Sequence, residues 1–151
     1  MSTGVLTDWV IRPAEDVDAE AVAAVWWAAR QASIGPMPPP ERGEADVRRW
    51  VSEELMVERE VWVVEVAGRV AAMMALDRRW IDELYVHPAH TGQGLGGALV
   101  DLAKALRPGG FGLWVYADNA GAQRFYARHG LVETCRIGAA DGATKVGLLW
   151  V

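Results

Sequence analysis

Residues 81–106 read IDELYVHPAHTGQGLGGALVDLAKAL, a strand-like pattern that passes through a glycine-rich turn into a helix-like pattern. The strand covers 80–86, and apolar residues at helical spacing follow from 95 to 106. A glycine inside a helix costs about 1 kcal/mol relative to alanine, so four glycines at a helix start indicate some other requirement. Unpaired N–H groups and the positive end of the helix dipole bind phosphate at such a place. The segment therefore predicts an anion-binding turn.

The strand before this turn has an irregular apolar pattern. Ile81, Leu84 and Val86 do not keep one parity, as a regular half-buried strand requires. A β-bulge near Asp82 and Glu83 would bring the three onto one face and leave backbone groups that could hold a ligand carbonyl. A central strand that is apolar on both faces explains the pattern equally well. The sequence leaves both interpretations open.

The elements around this segment alternate between strands and helices. We expect a strand at 9–12, a helix capped by Asp16 or Asp18 that ends near Ser33, an irregular loop at 34–43 with four prolines, and a helix at 44–57. Strands at 61–67 and 70–76 form a hairpin, and after the glycine-rich turn the pattern gives a strand at 111–117, a helix at 119–129 and strands at 131–137 and 145–151. The order predicts one α/β domain over residues 1–151, with about seven strands in a central sheet flanked by about four helices.

Composition excludes several other classes of protein. The net charge of -5 argues against a nucleic-acid surface, and no apolar run reaches the roughly 20 residues of a membrane span. The N-terminal segment MSTGVLTDWV does not resemble a signal peptide, so we expect a cytoplasmic protein without membrane contacts. Cys135 is the single cysteine and is expected to be a buried apolar residue, and no metal-ligand spacing occurs. Most of the eight tryptophans are expected in the core.

Two other anion-binding motifs do not fit the turn. The P-loop pattern is absent, because no lysine or hydroxyl residue follows the last glycine. GxGxxG is matched by Gly92, Gly94 and Gly97, with Asp118 about twenty residues beyond. In a dinucleotide fold, however, the first glycine directly follows its strand, whereas residues 87–91 intervene here and only about fifty residues remain. We therefore reject a dehydrogenase.

Residues 81–106, together with LWVYADNAGAQRFYARHGL at 113–131, resemble the GCN5-related N-acetyltransferase (GNAT) family. The resemblance rests on a strand that ends in Leu-Tyr-Val-His-Pro, a [QR]xxGx[GA] phosphate loop, a helix, a strand, and then Asn and Phe-Tyr ahead of Gly. It implies a mixed, mostly antiparallel sheet, acetyl-CoA as co-substrate and no metal. It also implies transfer of the acetyl group to the primary amine of a small molecule, or of a peptide, by direct attack in a ternary complex.

The resemblance also assigns residues to the cofactor. The backbone of the turn would wrap the pyrophosphate at Gly92, Gly94 and Gly96, whereas Gly97 would serve close packing of the helix against the sheet. Thr91 departs from the family pattern, which has Gln or Arg there, so we expect altered cofactor affinity. The full cofactor-binding set is Leu84, Tyr85, Val86, Thr91, Gly92, Gln93, Gly94, Leu95, Gly96, Gly97 and Asn119.

Catalytic roles follow from the same resemblance. Tyr126 corresponds to the general acid that protonates the departing thiolate. The base that frees the attacking amine is Glu83, Asp82 or a chain of waters. A non-catalytic acyl-CoA-binding or sensor module is the alternative function.

One wall of the acceptor cleft is expected from the first two helices and the proline-rich loop. Tryptophan faces there could hold a cationic amine by cation–π contact. Trp26 and Trp27 cannot both point inward from one helix. The expected acceptor residues are Trp26, Trp27, Met37 and Trp50, and the protein is expected to be a monomer or a homodimer.

Overall fold

The computed structural model describes residues 8–138 and 142–151. Residues 1–7 lie outside the described residues. They make up most of the N-terminal segment that does not resemble a signal peptide. The strands are β1 (Trp9–Pro13), β2 (Glu60–Val66), β3 (Arg69–Asp77), β4 (Trp80–Val86), β5 (Phe111–Tyr116), β6 (Val132–Gly138) and β7 (Thr144–Trp150). The helices are α1 (Ala19–Ala32), α2 (Glu44–Trp50), α3 (Met56–Glu58), α4 (Leu95–Leu106) and α5 (Ala120–Arg128), with a π-helical turn, Val51–Leu55, that joins α2 to α3. The predicted order of elements is confirmed.

The strands form one mixed sheet in the order β1-β2-β3-β4-β5-β7-β6, and only β4 and β5 run parallel. β3 is buried on both faces. Met73 and Ala75 belong to the core under α1 and α2, whereas Met74 and Leu76 belong to the core under α4 and α5. The prediction of a mostly antiparallel seven-stranded sheet flanked by helices is confirmed.

β4 contains the bulge that its apolar pattern suggested. Glu83 pairs with Ala75 and Ile81 pairs with Leu76, so Asp82 is one extra residue on β4. Because of this insertion, Ile81 and the later apolar residues of β4 all lie in the core under α4 and α5. Glu83 and Tyr85 project from the opposite face, toward α1.

β4 and β5 separate immediately after they begin to pair. Their parallel register consists of Trp80 with Gly112 and Ile81 with Leu113, and no later pair follows in the described residues. Two parallel strands that diverge leave the facing N–H and C=O groups without strand partners. The bulge and this divergence open a gap in the middle of the sheet.

The first helix begins differently from the expectation. A short 3₁₀ turn, Asp16–Asp18, precedes α1, and neither carboxylate caps the helix. Asp18 instead accepts bonds from Arg12 (2.7 and 2.9 Å) and from the backbone N–H of Glu15 (2.7 Å). The Arg12 guanidinium lowers the pKa of the Asp18 carboxyl. This ion pair attaches β1 to the start of α1.

One burial prediction is wrong, and the prediction that most tryptophans lie in the core is partly right, since five of them pack partly buried against the two cores. Cys135 is exposed, because β6 is an edge strand whose outer face no helix covers. Among the eight tryptophans only Trp26 is buried, and Trp80 and Trp114 stack on each other 38% and 40% exposed. The indole rings are large enough to cover the edges of both cores while one side stays in contact with solvent.

Candidate active site

The turn between β4 and α4 requires glycine at Gly92 and Gly94. Their φ angles are 80° and 84°, in the left-handed region, and a Cβ at either position would meet open space. Backbone conformation, not crowding, therefore explains these two glycines. α4 begins directly after Gly94, and the N–H groups of its first turn have no partners within the helix. The turn offers backbone donors and the positive end of the helix dipole to an anion.

Gly96 and Gly97 have a different role. A Cβ on Gly96 would lie 3.2 Å from Cζ of Phe125, and one on Gly97 would lie 3.1 Å from Cε1 of His129. The approach of the backbone at Gly96 to a pyrophosphate stays a prediction, and the missing side chain of Gly96 also makes room for Phe125. Gly97 does serve close packing, but of α4 against the end of α5 and not against the sheet.

The polar side chains of the turn stabilise the turn itself. Thr91 Oγ1 donates to the carbonyl of Pro88 (3.2 Å), and His87 Nδ1 accepts from the N–H of Ala89 (3.0 Å). His90 Nδ1 lies 3.2 Å from Gln93 Oε1. The hydroxyl of Thr91, the residue that departs from the family pattern, therefore stabilises the conformation of the loop.

A first cavity, of about 690 Å³, lies between the turn and the end of β4. Every residue predicted to bind the cofactor lines it except Gln93. Asn119 contributes to the wall and also caps α5, since its Oδ1 accepts from the N–H of Ala122 (3.2 Å). Arg128 lines the same cavity and was not predicted, although its cationic side chain suits an anionic ligand.

A second cavity, of about 340 Å³, fills the gap where β4 leaves β5. It shares Leu84, Asn119 and Tyr126 with the first cavity. Met37 of the proline-rich loop lies in both walls, so this predicted acceptor residue sits at the junction of the two spaces.

A third cavity, of about 500 Å³, extends from the gap to the proline-rich loop. It shares Arg30, Glu83 and Lys145 with the second cavity. Trp26 and Trp50 line it as predicted. The three cavities thus adjoin one another along the gap in the sheet, in a row that we call the passage, with Tyr126 toward the glycine-rich turn and Glu83 toward the proline-rich loop.

Glu83 has the electrostatic character of a base. Burial raises the pKa of its carboxyl to about 7, while the Trp26 N–H and the charges of Arg30 and Lys145 act in the opposite direction. The indole N–H of Trp26 favours the charged carboxylate without reaching full hydrogen-bonding geometry. A carboxyl with this pKa can take up and release a proton near neutral pH.

Asp82 is less suitable as a base. Its Oδ2 accepts from Nε of Arg59 at 2.7 Å, and the same guanidinium lies 3.9 Å from Asp77. The ion pair thus holds the Asp82 carboxylate against Arg59. Of the two carboxylates at the bulge, the geometry favours Glu83.

Tyr126 is buried on α5 between the first two cavities, with its ring edge-on to Phe125 at 4.9 Å. Burial raises the pKa of its hydroxyl well above the usual value. The group therefore stays protonated and available as a donor throughout the neutral range. The hydroxyl bonds to no other residue in the described ranges.

Guanidinium groups of the chain itself lie over the tryptophan rings of the third cavity. The guanidinium of Arg30 lies 5.1 Å from the ring centroid of Trp26, and that of Arg42 lies 5.6 Å from the ring centroid of Trp50. Trp27 lines none of the three cavities and packs beside the α1 core instead. Trp27 therefore does not line the cleft as predicted, whereas a cation–π contact between a tryptophan and the substrate amine stays a prediction.

Arg30 and Lys145 are wall residues that sequence reasoning missed. Arg30 follows Trp26 by four positions on α1, so helical spacing places both on one face. That spacing could have identified it. Nothing local points to Lys145, which reaches the passage only because β7 pairs with β5.

Comparison with known proteins agrees with this architecture. Residues 58–133 match the family model described as an acetyltransferase (GNAT) domain. An uncharacterized N-acetyltransferase of Methanocaldococcus jannaschii is 33% identical over 102 residues, which cover 56% of this chain but only 45% of that protein. The match thus spans less than half the length of this curated relative. The chain belongs to the GNAT acetyltransferase family.

Solved structures share the fold at low sequence identity. Apo YjaB from Escherichia coli has a TM-score of 0.78 at 22% identity, over 95% of this chain and 98% of that one. YncA from Salmonella typhimurium, solved with its cofactor acetyl-CoA, has a TM-score of 0.70 at 21% identity, over 94% and 92% of the two chains. Within residues 8–138 and 142–151, no helix is long and apolar enough to cross a membrane, and no three His, Cys, Asp or Glu side chains cluster as metal ligands.

Proposed function

We propose that this protein is an acetyl-CoA-dependent N-acetyltransferase that transfers an acetyl group to the primary amine of a small molecule, by direct attack in a ternary complex. The observation that carries the proposal is the passage along the gap in the sheet. A proton donor, Tyr126, lines its turn side, and a group that titrates near neutral pH, Glu83, lines its loop side.

The residues of the first cavity fit acetyl-CoA. The turn at Gly92 and Gly94 offers N–H groups to the pyrophosphate, and Arg128 adds positive charge. The β4 edge from Leu84 to Val86 offers main-chain groups to the amides of the pantetheine arm, in the manner of an added strand. When bound, acetyl-CoA supplies the acetyl group as a thioester.

Glu83 takes the proton that the amine must lose. A protonated amine has no free electron pair, so attack on the thioester carbon requires a base near the acceptor. The carboxylate of Glu83 faces the second and third cavities and can receive this proton directly or through water. An unpaired N–H group of β4 beyond the bulge can donate to the thioester oxygen, where negative charge develops.

Tyr126 acts at the other end of the breaking bond. The new C–N bond forms as the C–S bond breaks, and the sulfur leaves with the electron pair. The Tyr126 hydroxyl, kept protonated by burial, donates to that sulfur. Asn119 fixes the start of α5 and so the position of Tyr126 one to two turns later.

The test is release of free thiol from acetyl-CoA across a panel of primary amines, with the Tyr126→Phe variant as control. Turnover with at least one amine, reduced in the variant while coenzyme A still stabilises both proteins against heat, supports the proposal. Binding of coenzyme A without turnover on any amine would favour the acyl-CoA-binding or sensor module. Stabilisation by NAD and not by coenzyme A would refute both.

The proposal treats residues 1–151 as a single acetyltransferase domain that works without a metal ion, as a monomer or a homodimer. The cytoplasm is the proposed location.

A further inference from the structure

The third cavity carries more positive than negative charge, although the whole chain has a net charge of -5. Arg30, Arg42 and Lys145 line it together with Glu41 and Glu83. None of the three cations forms an ion pair with a carboxylate in the described ranges. Cations gathered in a concave space without carboxylate partners attract an anionic ligand.

The three cationic groups are held in place by a hydrogen bond and by contacts with aromatic rings. Arg30 Nη2 donates to the carbonyl of Pro38 (2.9 Å), while its buried Nε has no partner in the described residues. The Arg42 guanidinium covers the Trp50 ring, and Lys145 Nζ lies 5.1 Å from the ring centroid of Tyr116. Side chains ordered in advance bind a ligand at a lower entropic cost.

The charges are arranged along the passage. Glu83, Arg30 and Lys145 lie in the walls of both the second and third cavities, whereas Arg42 lies only in the third, farther from the gap between β4 and β5. An amine beside Glu83 therefore has cationic side chains around the rest of its acceptor molecule. A molecule with several positive charges meets repulsion in the same space.

We propose that the acceptor is a small amine that also carries an anionic group, of which an amino acid with a free carboxylate is the simplest case. The amine lies at Glu83, and the anionic group lies against the guanidinium groups of Arg30 and Arg42. This inference rests on the proposed function and adds the charge of the substrate.

The experiment compares acceptors that differ only in the anionic group. Thiol release from acetyl-CoA is measured with each standard amino acid, its α-carboxamide and the amine left after decarboxylation, and with spermidine as a polycationic amine. For the amino acid that reacts best, we expect kcat/KM at least about tenfold above that of its amide, since a hydrogen bond to a charged group contributes about that factor. Spermidine should react more slowly still, and added salt should raise KM for the acid but not for the amide.

Two variants connect this preference to the site. In Arg42→Gln, which alters an exposed side chain, KM for the acid should rise about tenfold with kcat retained and the amide unaffected. Arg69→Gln, at the start of β3 and in the wall of none of the three cavities, is the matched control and should leave the ratio of acid to amide unchanged. A purely structural role of Arg42 would change both substrates equally and would overturn the assignment.

The possible failures are distinguishable. If neutral or polycationic amines react as well as the acids or better, the inference is wrong and the proposed function stands. If nothing reacts although coenzyme A binds, a second measurement tests the inference. N-acetylated amino acids and their amides are added to the coenzyme A complex, and the thermal shift that each one produces is compared. A larger shift with the acids supports an anionic acceptor site, and equal or absent shifts overturn it.

Discussion

Replacement of Glu83 by Gln should change activity, stability and their pH dependence together. The glutamine keeps the shape of the side chain and removes the titrating group. General base catalysis contributes about 100-fold to 10,000-fold to a rate, so we expect kcat/KM to fall within that range. In the wild-type enzyme kcat/KM should also fall about tenfold per pH unit below pH 7, where the carboxyl is protonated, beyond the decline caused by the amine's own protonation.

The stability change follows from the same titration. Burial raises the pKa of Glu83 from 4.5 to about 7, which corresponds to a difference of up to about 3 kcal/mol between the two protonation states. Because the folded pKa is the higher one, the favourable contribution is complete below pH 4.5 and is lost as the pH rises through 7. Glu83→Gln lacks this dependence, so relative to the wild type it should gain up to about 3 kcal/mol between pH 4.5 and pH 8.

The assays are thiol release from acetyl-CoA over pH 5.5–9 and urea unfolding at pH 4.5 and pH 8, on wild type and variant. Asp82→Asn is the matched control, because the Asp82 carboxylate lies on the same bulge but is held by Arg59. In this control, kcat/KM should still fall below about pH 7 as it does in the wild type. The reasoning is refuted if wild type and Glu83→Gln show the same pH dependence of both activity and unfolding.

Three further changes test other parts of the site and fold. Tyr126→Phe should lower kcat about 100-fold or more and leave the thermal shift produced by coenzyme A unchanged, and a loss of that shift would instead mean a role in binding. Gly94→Ala places a Cβ at a φ of 84° and should cost about 1 kcal/mol and weaken coenzyme A binding in calorimetry, whereas Gly138→Ala, outside the left-handed region and in open space on β6, should do neither. Asp18→Asn should reduce the free energy of unfolding in urea by about 2 kcal/mol at pH 7. Because the pKa of Asp18 is lowered in the fold, that difference should shrink as the pH falls below 3.8, and a constant difference would contradict the ion-pair explanation.

The sequence predicted those features that depend on local pattern. Apolar periodicity located the elements, and the broken parity of Ile81, Leu84 and Val86 marked an irregular strand. It could not decide between the bulge that the structure shows and a strand that is apolar on both faces. Burial that depends on contacts between residues far apart in the sequence could not be predicted in this way. Cys135 was expected to be buried on its strand, but its exposure depends on which strand is at the edge of the sheet.

The sequence also did not predict which side chains of the chain contact the tryptophan rings. An exposed tryptophan face attracts any cation, and the sequence does not say whether that cation comes from a ligand or from the chain itself. Here Arg30 follows on the same helix and Arg42 follows in the proline-rich loop, and both cover the rings that the cation–π prediction reserved for the substrate. Trp26 and Trp50 lie where they were expected, but guanidinium groups cover their rings.

One inserted residue determines which carboxylate can act as a base. If β4 were regular, the pairing of Glu83 with Ala75 would continue as Asp82 with Leu76, and Ile81 would leave the core under α4 and α5. The bulge keeps Ile81 in that core and leaves Asp82 at the position where Arg59 binds it. Glu83 then faces α1, where burial raises its pKa. The same insertion precedes the point at which β4 leaves β5, so the position of Glu83, the proposed base, and the gap beside it have a common structural origin.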